Sequence, residues 1–296
     1  MMRALKIGAN VALYGAAWMT LAQALFAVMS VSARLGGHDV PWQEVAATRF
    51  IIGALTAFVA GTLQRKSLRV KRQREAYLRS VFGTMAACGT FYTLAAPGIA
   101  IGDAVTLFAT SPIFVALLSW PLLGERVRRS VVVAMGLAFV GIVAVARPSF
   151  GTAGHVVLAG AFTAVSSALA MIWLRRIGPD ESSEAIVFHF SCFGSVVCVL
   201  LSIPVWRTPD ATSAMYLAMT GLSGGLAQLA MTRAYAFDSA ARISAFGYSG
   251  IVFTRLFALP VFGEQPTLVQ VAGSLLVIGA GLVLALRGVS APRPLA

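Results

Sequence analysis

The phrase Pro121-Leu122-Leu123-Gly124-Glu125 returns later in the chain as Pro260-Val261-Phe262-Gly263-Glu264, each time at the end of a long apolar run. The register holds elsewhere. Glu44 and Arg49 are matched by Glu184 and His189, and each pair flanks the start of an apolar stretch. Spaced glycines follow both copies of the phrase, Gly136 and Gly141 in one half, Gly273 and Gly279 in the other. Solenoid units recur at roughly 20 to 50 residues, so a repeat this long is a duplication of half the protein.

Composition fixes the solvent. Hydrophobic residues make up 58% of the chain and charged residues 11%, and the mean hydropathy is +0.82, whereas soluble domains carry about 25% charged residues. A spanning helix needs about 20 mostly apolar residues. Ten such stretches are expected, at 11 to 33, 45 to 63, 80 to 96, 103 to 122, 131 to 147, 156 to 174, 185 to 205, 214 to 236, 243 to 262 and 267 to 286. Their period is helical or continuous rather than alternating, which disfavours a transmembrane barrel. The expected fold is an all-α polytopic membrane protein, with one five-helix repeat in residues 1–147 and a second in residues 156–296.

Lysine and arginine orient the chain. With a cytoplasmic N-terminus the inner segments collect Arg3, Lys6, the run Arg65, Lys66, Arg69, Lys71, Arg72, Arg74 and Arg79, then Arg126, Arg128, Arg129, Arg175, Arg176, Arg242, Arg287 and Arg293. Outer segments receive only Arg34, Arg147 and Arg207. Both termini are therefore expected in the cytoplasm. An odd number of spans per repeat makes the second copy enter from the opposite side, so the repeats are inverted about an axis in the membrane plane, as in many secondary transporters. The +12 charge follows from the positive-inside bias with weak attraction to anionic lipids, and no nucleic-acid partner is expected. Residues 1 to 33 imitate a signal peptide, yet they correspond to 156 to 174 and are read as a retained span. Cys88, Cys192 and Cys198 fall within spans and imply no disulfide framework.

Charge in hydrocarbon costs roughly 2.5 to 3.5 kcal/mol on insertion scales. Arg49, Arg233 and Arg255 fall within spans two, eight and nine. They either snorkel to the interface or line a wet cavity and offer positive potential to a carboxylate. His189 could titrate near neutral pH and serve proton coupling, or act as a packing hydrogen bonder. The carboxylates lie at span ends or in loops, which weakens a buried-carboxylate ion carrier and favours facilitated diffusion or exchange. The sequence contains no Walker-type phosphate loop, so ATP is not the expected energy source. His38 and His155 lie in outer loops and no catalytic cluster is visible, so no enzyme and no cofactor is expected.

Ser111-Pro112 lies centrally in span four, with Pro121 near its inner end. In span nine Ile251 replaces Pro112, Gly247 and Gly250 supply a different weak point, and Pro260 matches Pro121. Pro112, Pro121, Gly250 and Pro260 are the candidate hinges, with packing kinks as the alternative. Gly83 with Ala87, Ala134 with Ala138, and Gly221 with Gly225 are small pairs for close helix contact. Trp18, Gln23, Arg49, Phe91, Tyr92, Phe108, Ser111, Ser166, Gln228, Tyr248 and Arg255 are the candidate lining of a central cavity of mixed aromatic and polar character.

The duplicated ten-span plan, Arg49 early in span two, the segment Ala104 to Glu125 and the closing glycine-spaced helix resemble the EamA type of the drug/metabolite transporter superfamily over essentially the entire chain. The resemblance implies an inverted five-plus-five basket, a central substrate cavity, and peripheral fifth and tenth spans that support it or mediate a homodimer. It further implies export of amino acids, neutral and aromatic ones included, or related metabolites across the bacterial inner membrane. A carrier of anionic or nucleotide-linked metabolites is the alternative, and a non-transporting membrane scaffold or receptor is the alternative of another class. Ile251 departs from the usual second-half pattern and puts symmetric gating in question.

Overall fold

The fold is given by a computed structural model that describes residues 2–37, 40–95, 107–146, 154–262 and 267–286. The first half comprises α1 (Met2–Gly36), α2 (Trp42–Leu63), α3 (Gln73–Ala95), α4 (Ser111–Leu123) and α5 (Arg129–Ala146). The second comprises α6 (Gly154–Ile177), α7 (Ser183–Ser202), α8 (Ala211–Phe237), α9 (Ala240–Phe246), α10 (Ser249–Phe262) and α11 (Leu268–Leu286). Among the described residues four stretches are long and apolar enough to cross a membrane, Leu13–Gly36, Trp42–Leu63, Gly154–Ile177 and Ser183–Val205. Ser111–Leu123, Arg129–Ala144 and Leu268–Val283 are shorter apolar helices. Large apolar side chains are exposed on α5 and α11, among them Val133, Val140, Leu275 and Leu282.

Local chemistry starts and stops the helices. Ser182 caps α7 by accepting a hydrogen bond from the Ala185 amide, and Asp210 caps α8 by accepting from Ser213. Hydrogen bonds from Ser213 hold the Asp210 carboxyl below its ordinary range. Gly124 ends α4 in the left-handed conformation at φ 69°, which its missing Cβ permits.

The largest helix pairings join the two halves rather than neighbours in sequence. α1 packs on α8, α3 on α6, α2 on α7 and α5 on α11. Exchanging the halves turns the first of these pairs into the second and leaves the other two unchanged. The partners run in opposite directions. Gly15 faces Ala234 and Phe237 while Gly36 faces Ser213 and Tyr216, and Gly61 faces Glu184 while Gly53 faces Ser191. Small residues make the approach close, as expected for Gly221 and Gly225, which meet Ile52 and Thr56. Loops 64–72, 124–128 and 178–182 gather at one end, called here the basic end, and residues 203–210 lie at the opposite end.

Span nine is two helices, α9 and α10, separated by a turn at Gly247 and Tyr248. The first half breaks at the matching place, since Leu107 and Phe108 are helical, Ala109 and Thr110 form a turn, and α4 opens at Ser111. Pro112 sits in the first turn of α4, where its lacking N–H sacrifices no helical hydrogen bond. It starts a helix rather than bending a continuous one. Gly247 breaks span nine without a proline, so Ile251 does not remove the matching discontinuity.

Candidate functional site

Two buried arginines meet in the interior. Arg49 of α2 is 5% exposed and Arg79 of α3 is 1% exposed. Their guanidinium carbons lie 5.6 Å and 4.1 Å from the centre of the Phe190 ring in α7, and Arg49 also stacks on Phe50 at 4.5 Å. Arg79 Nη2 donates to Gln228 Oε1 of α8 at 3.1 Å. Among the described residues its Nε and Nη1 are buried without hydrogen-bond partners. Among the described residues neither arginine faces a carboxylate. Sharing one ring, the two like charges stand no more than about 10 Å apart and repel by at least about 1.7 kcal/mol at an effective dielectric of about 20, and each also lacks the pairing that buried charges need. The ring faces of Phe50 and Phe190 return only part of that cost.

Helix geometry explains the convergence. Gly83 stands one turn after Arg79, and a Cβ there would fall 2.1 Å from Arg79 Nη1 and 2.7 Å from Phe190 Cε2. Gly224 lets the Arg49 stem lie against α8, and Gly194 makes room for the Phe50 ring. The sequence reading placed Arg79 among cytoplasmic loop charges. The structure corrects this, because Arg79 lies in the second turn of α3 and is packed against two other helices, α7 and α8.

Of the expected cavity residues, Arg49 and Gln228 converge on Arg79, and Phe91 is buried in the apolar cluster that holds Phe50 and Phe190. Gln23 packs on Gly247 and Gly250 at the break in span nine, and Tyr248 is buried there with its hydroxyl lacking a partner. Ser166 is buried on α6, while Phe108 and Ser111 are half-buried beside the first-half break. Trp18 lies under Arg233 at 5.0 Å. Tyr92 is 41% exposed and borders a lateral groove of about 550 Å³ with Trp42, Cys88, Phe162 and Phe193. Arg255 donates to Gln270 of α11 at 3.1 Å. His189 Nδ1 lies 3.0 Å from Ser80 Oγ, beside a second groove of about 870 Å³ that Arg69, Arg74 and Tyr77 also line. Pro121 lies within α4, Gly250 is near the start of α10 and Pro260 falls in its last turn.

Ion pairs gather at the basic end. Glu184, fully buried, accepts from Arg233 at 2.6 Å and from Lys66 at 3.1 Å, which ties α7 and α8 to the loop after α2. Glu125 accepts from Arg175 Nε at 2.9 Å and from the Ala240 amide at 2.9 Å, while Arg175 Nη1 donates to the Tyr235 carbonyl. The repeated phrase thus has a mechanical reading in its first copy: the left-handed glycine ends the helix and turns the next glutamate onto the other half. Glu264, its counterpart, lies outside the described residues. At the opposite end buried Glu44 accepts from the Arg207 amide, so the two repeated glutamates take matching positions at the two ends.

A family model described as the EamA-like transporter family matches residues 13–147 and again residues 155–286. A pseudopaline exporter of Pseudomonas aeruginosa is 27% identical over 89% of this chain and 93% of its own length. An S-adenosylmethionine uptake transporter of Rickettsia prowazekii is 24% identical over 92% of each chain. A solved crystal structure superposes with a TM-score of 0.78 over 94% of this chain and 99% of that one, and at 20% identity the likeness shows the fold.

Proposed function

Because the chain belongs to the EamA-like transporter family, a family of multi-pass membrane carriers, we propose that it exports small metabolites across the bacterial inner membrane, amino acids including neutral and aromatic ones being the favoured class. Residues 1–147 and 156–296 form two inverted five-helix repeats with ten spans in all, both termini lie in the cytoplasm, and the basic end faces it. The protein works by alternating access as a facilitator or exchanger and carries out no enzymatic reaction. One observation supports this above others: the halves pair helix against opposed helix, and a buried glutamate of the same repeat register stands at each end.

In the conformation described, the Glu184 and Glu125 ion pairs close the cytoplasmic side. Rocking of one repeat against the other would exchange that closure for one at the outer end. The turns at Ala109–Thr110 and Gly247–Tyr248, the second with Gly250 beside it, are the points where the chain can bend without breaking regular hydrogen bonds, while Pro121 and Pro260 would let the far ends of α4 and α10 adjust. His189 is the group through which a proton could couple.

A panel of labelled amino acids in proteoliposomes tests the proposal by uptake and efflux. Movement of at least one member supports it; none, from correctly folded protein, discards the amino acid assignment. Carriage of anionic or nucleotide-linked metabolites is the second reading, favoured by the two internal arginines, which face no carboxylate among the described residues.

A further inference from the structure

We infer that Arg49 and Arg79 form an internal receptor for a carboxylate of the transported molecule, with Gln228 fixing the Arg79 guanidinium. The inference rests on the transport reading and names the group by which the cargo is held.

Charge accounts for the first part. A stability-driven interior would pair a buried guanidinium with an acid or omit it. Here two arginines from different helices of the first half converge on one ring of the second half, and two nitrogens of the nine-tenths-buried Arg79 have no acceptor among the described residues. The Gln228 carbonyl engages Nη2 alone, so it restrains the group without neutralising it. A bound anion would supply the missing acceptors with charge-assisted hydrogen bonds, and arginine suits planar carboxylate better than lysine does.

Surroundings account for the second part. Phe50 and Phe190 wall the pair, and aromatic faces reward an organic body attached to the carboxylate, which a bare inorganic anion lacks. The site also bridges elements that must separate in alternating access, since Arg49 and Arg79 belong to one repeat, Phe190 and Gln228 to the other. A carboxylate between the arginines would draw α2 and α3 toward each other, linking occupancy to the positions of the repeats.

The test is direct binding, read without transport. Purified protein is followed by thermal unfolding with L-phenylalanine, L-glutamate, succinate and 3-phenylpropionate, with the amides of the same compounds, and with chloride and inorganic phosphate at equal ionic strength. At least one carboxylate should raise the melting temperature by several degrees, its amide should not, and both R49Q and R79Q should abolish the shift while R126Q, in the exposed loop after α4, retains it. Without ligand, R79Q should melt at or above the wild-type temperature, because it removes an uncompensated buried charge; a purely structural arginine would give a fall. No response to any carboxylate overturns the inference, as does a shift that survives both R49Q and R79Q. Phosphate and chloride matching the carboxylates would mean adventitious anion binding and overturn it too. Carboxylate binding with no movement of any carboxylate in proteoliposomes would leave the receptor standing and fault the transport reading alone.

Discussion

Glu184→Gln probes the closure of the basic end. Glu184 is fully buried and accepts from Arg233, whose side chain is 26% exposed, and from Lys66, whose side chain is 41% exposed. Solvent screens most of the Lys66 contribution, so the Arg233 hydrogen bond dominates, and charged hydrogen bonds are worth about 1.5 to 3 kcal/mol. Taking about 2 kcal/mol lost from the closed state and little from the open one, the open population rises about 30-fold. The assay places a cysteine at Thr232, which is 4% exposed with an unpartnered hydroxyl, in a background with Cys88, Cys192 and Cys198 changed to serine. Maleimide labelling in inside-out vesicles should accelerate about 30-fold with Glu184→Gln and slow with Glu44→Gln, which loosens the opposite end. An unchanged labelling rate in folded protein would refute the assignment of Glu184 to the closure.

Gly83→Ala should lower the melting temperature, at a cost of about 1 to 3 kcal/mol for overpacking, because its Cβ meets Arg79 and Phe190. Gly136→Ala, with nothing within 4 Å of the new Cβ, should be neutral or slightly stabilising by helix propensity; thermal unfolding in detergent reads both. The thiols of Cys88 in α3 and Cys198 in α7 lie 3.8 Å apart, so copper phenanthroline, oxidising the pair to a disulfide across the halves, should arrest flux in proteoliposomes. Cys88→Ser should be insensitive to the oxidant. Glu125→Gln should also speed cytoplasmic-side labelling of Thr232→Cys, since the amide keeps only one acceptor oxygen for the two donors, Arg175 and the Ala240 amide of α9, and no charge to pair with Arg175.

The apolar runs made the helices legible, because in a bilayer every backbone polar group must be satisfied within its own segment. Which face of each helix turns inward was not legible, since lipid is as apolar as the interior. Phe91 and Tyr92 stand side by side, yet one is buried in a core cluster and the other is half exposed to a groove. Arg79 was hidden by its company at the end of a run of seven basic residues; its one signal was Gly83 a turn later on the same face. The partner of Arg233 was hidden by distance, 49 residues along the chain, although the matched Glu44 and Glu184 had marked the glutamate as special. The break in span nine was visible as Gly247, and Pro112 marks the break in span four as a first-turn residue of the helix that begins there.

Reciprocal opening of the two ends is tested most directly by paired spin-label distances in reconstituted protein. One pair, Lys71 with Asp180, reports the basic end, and the other, Gln43 with Thr208, reports the opposite end. Glu184→Gln should lengthen the first distance and shorten the second. Both distances changing in the same sense, or neither changing in a protein that still transports, would contradict rocking of the repeats about a central site.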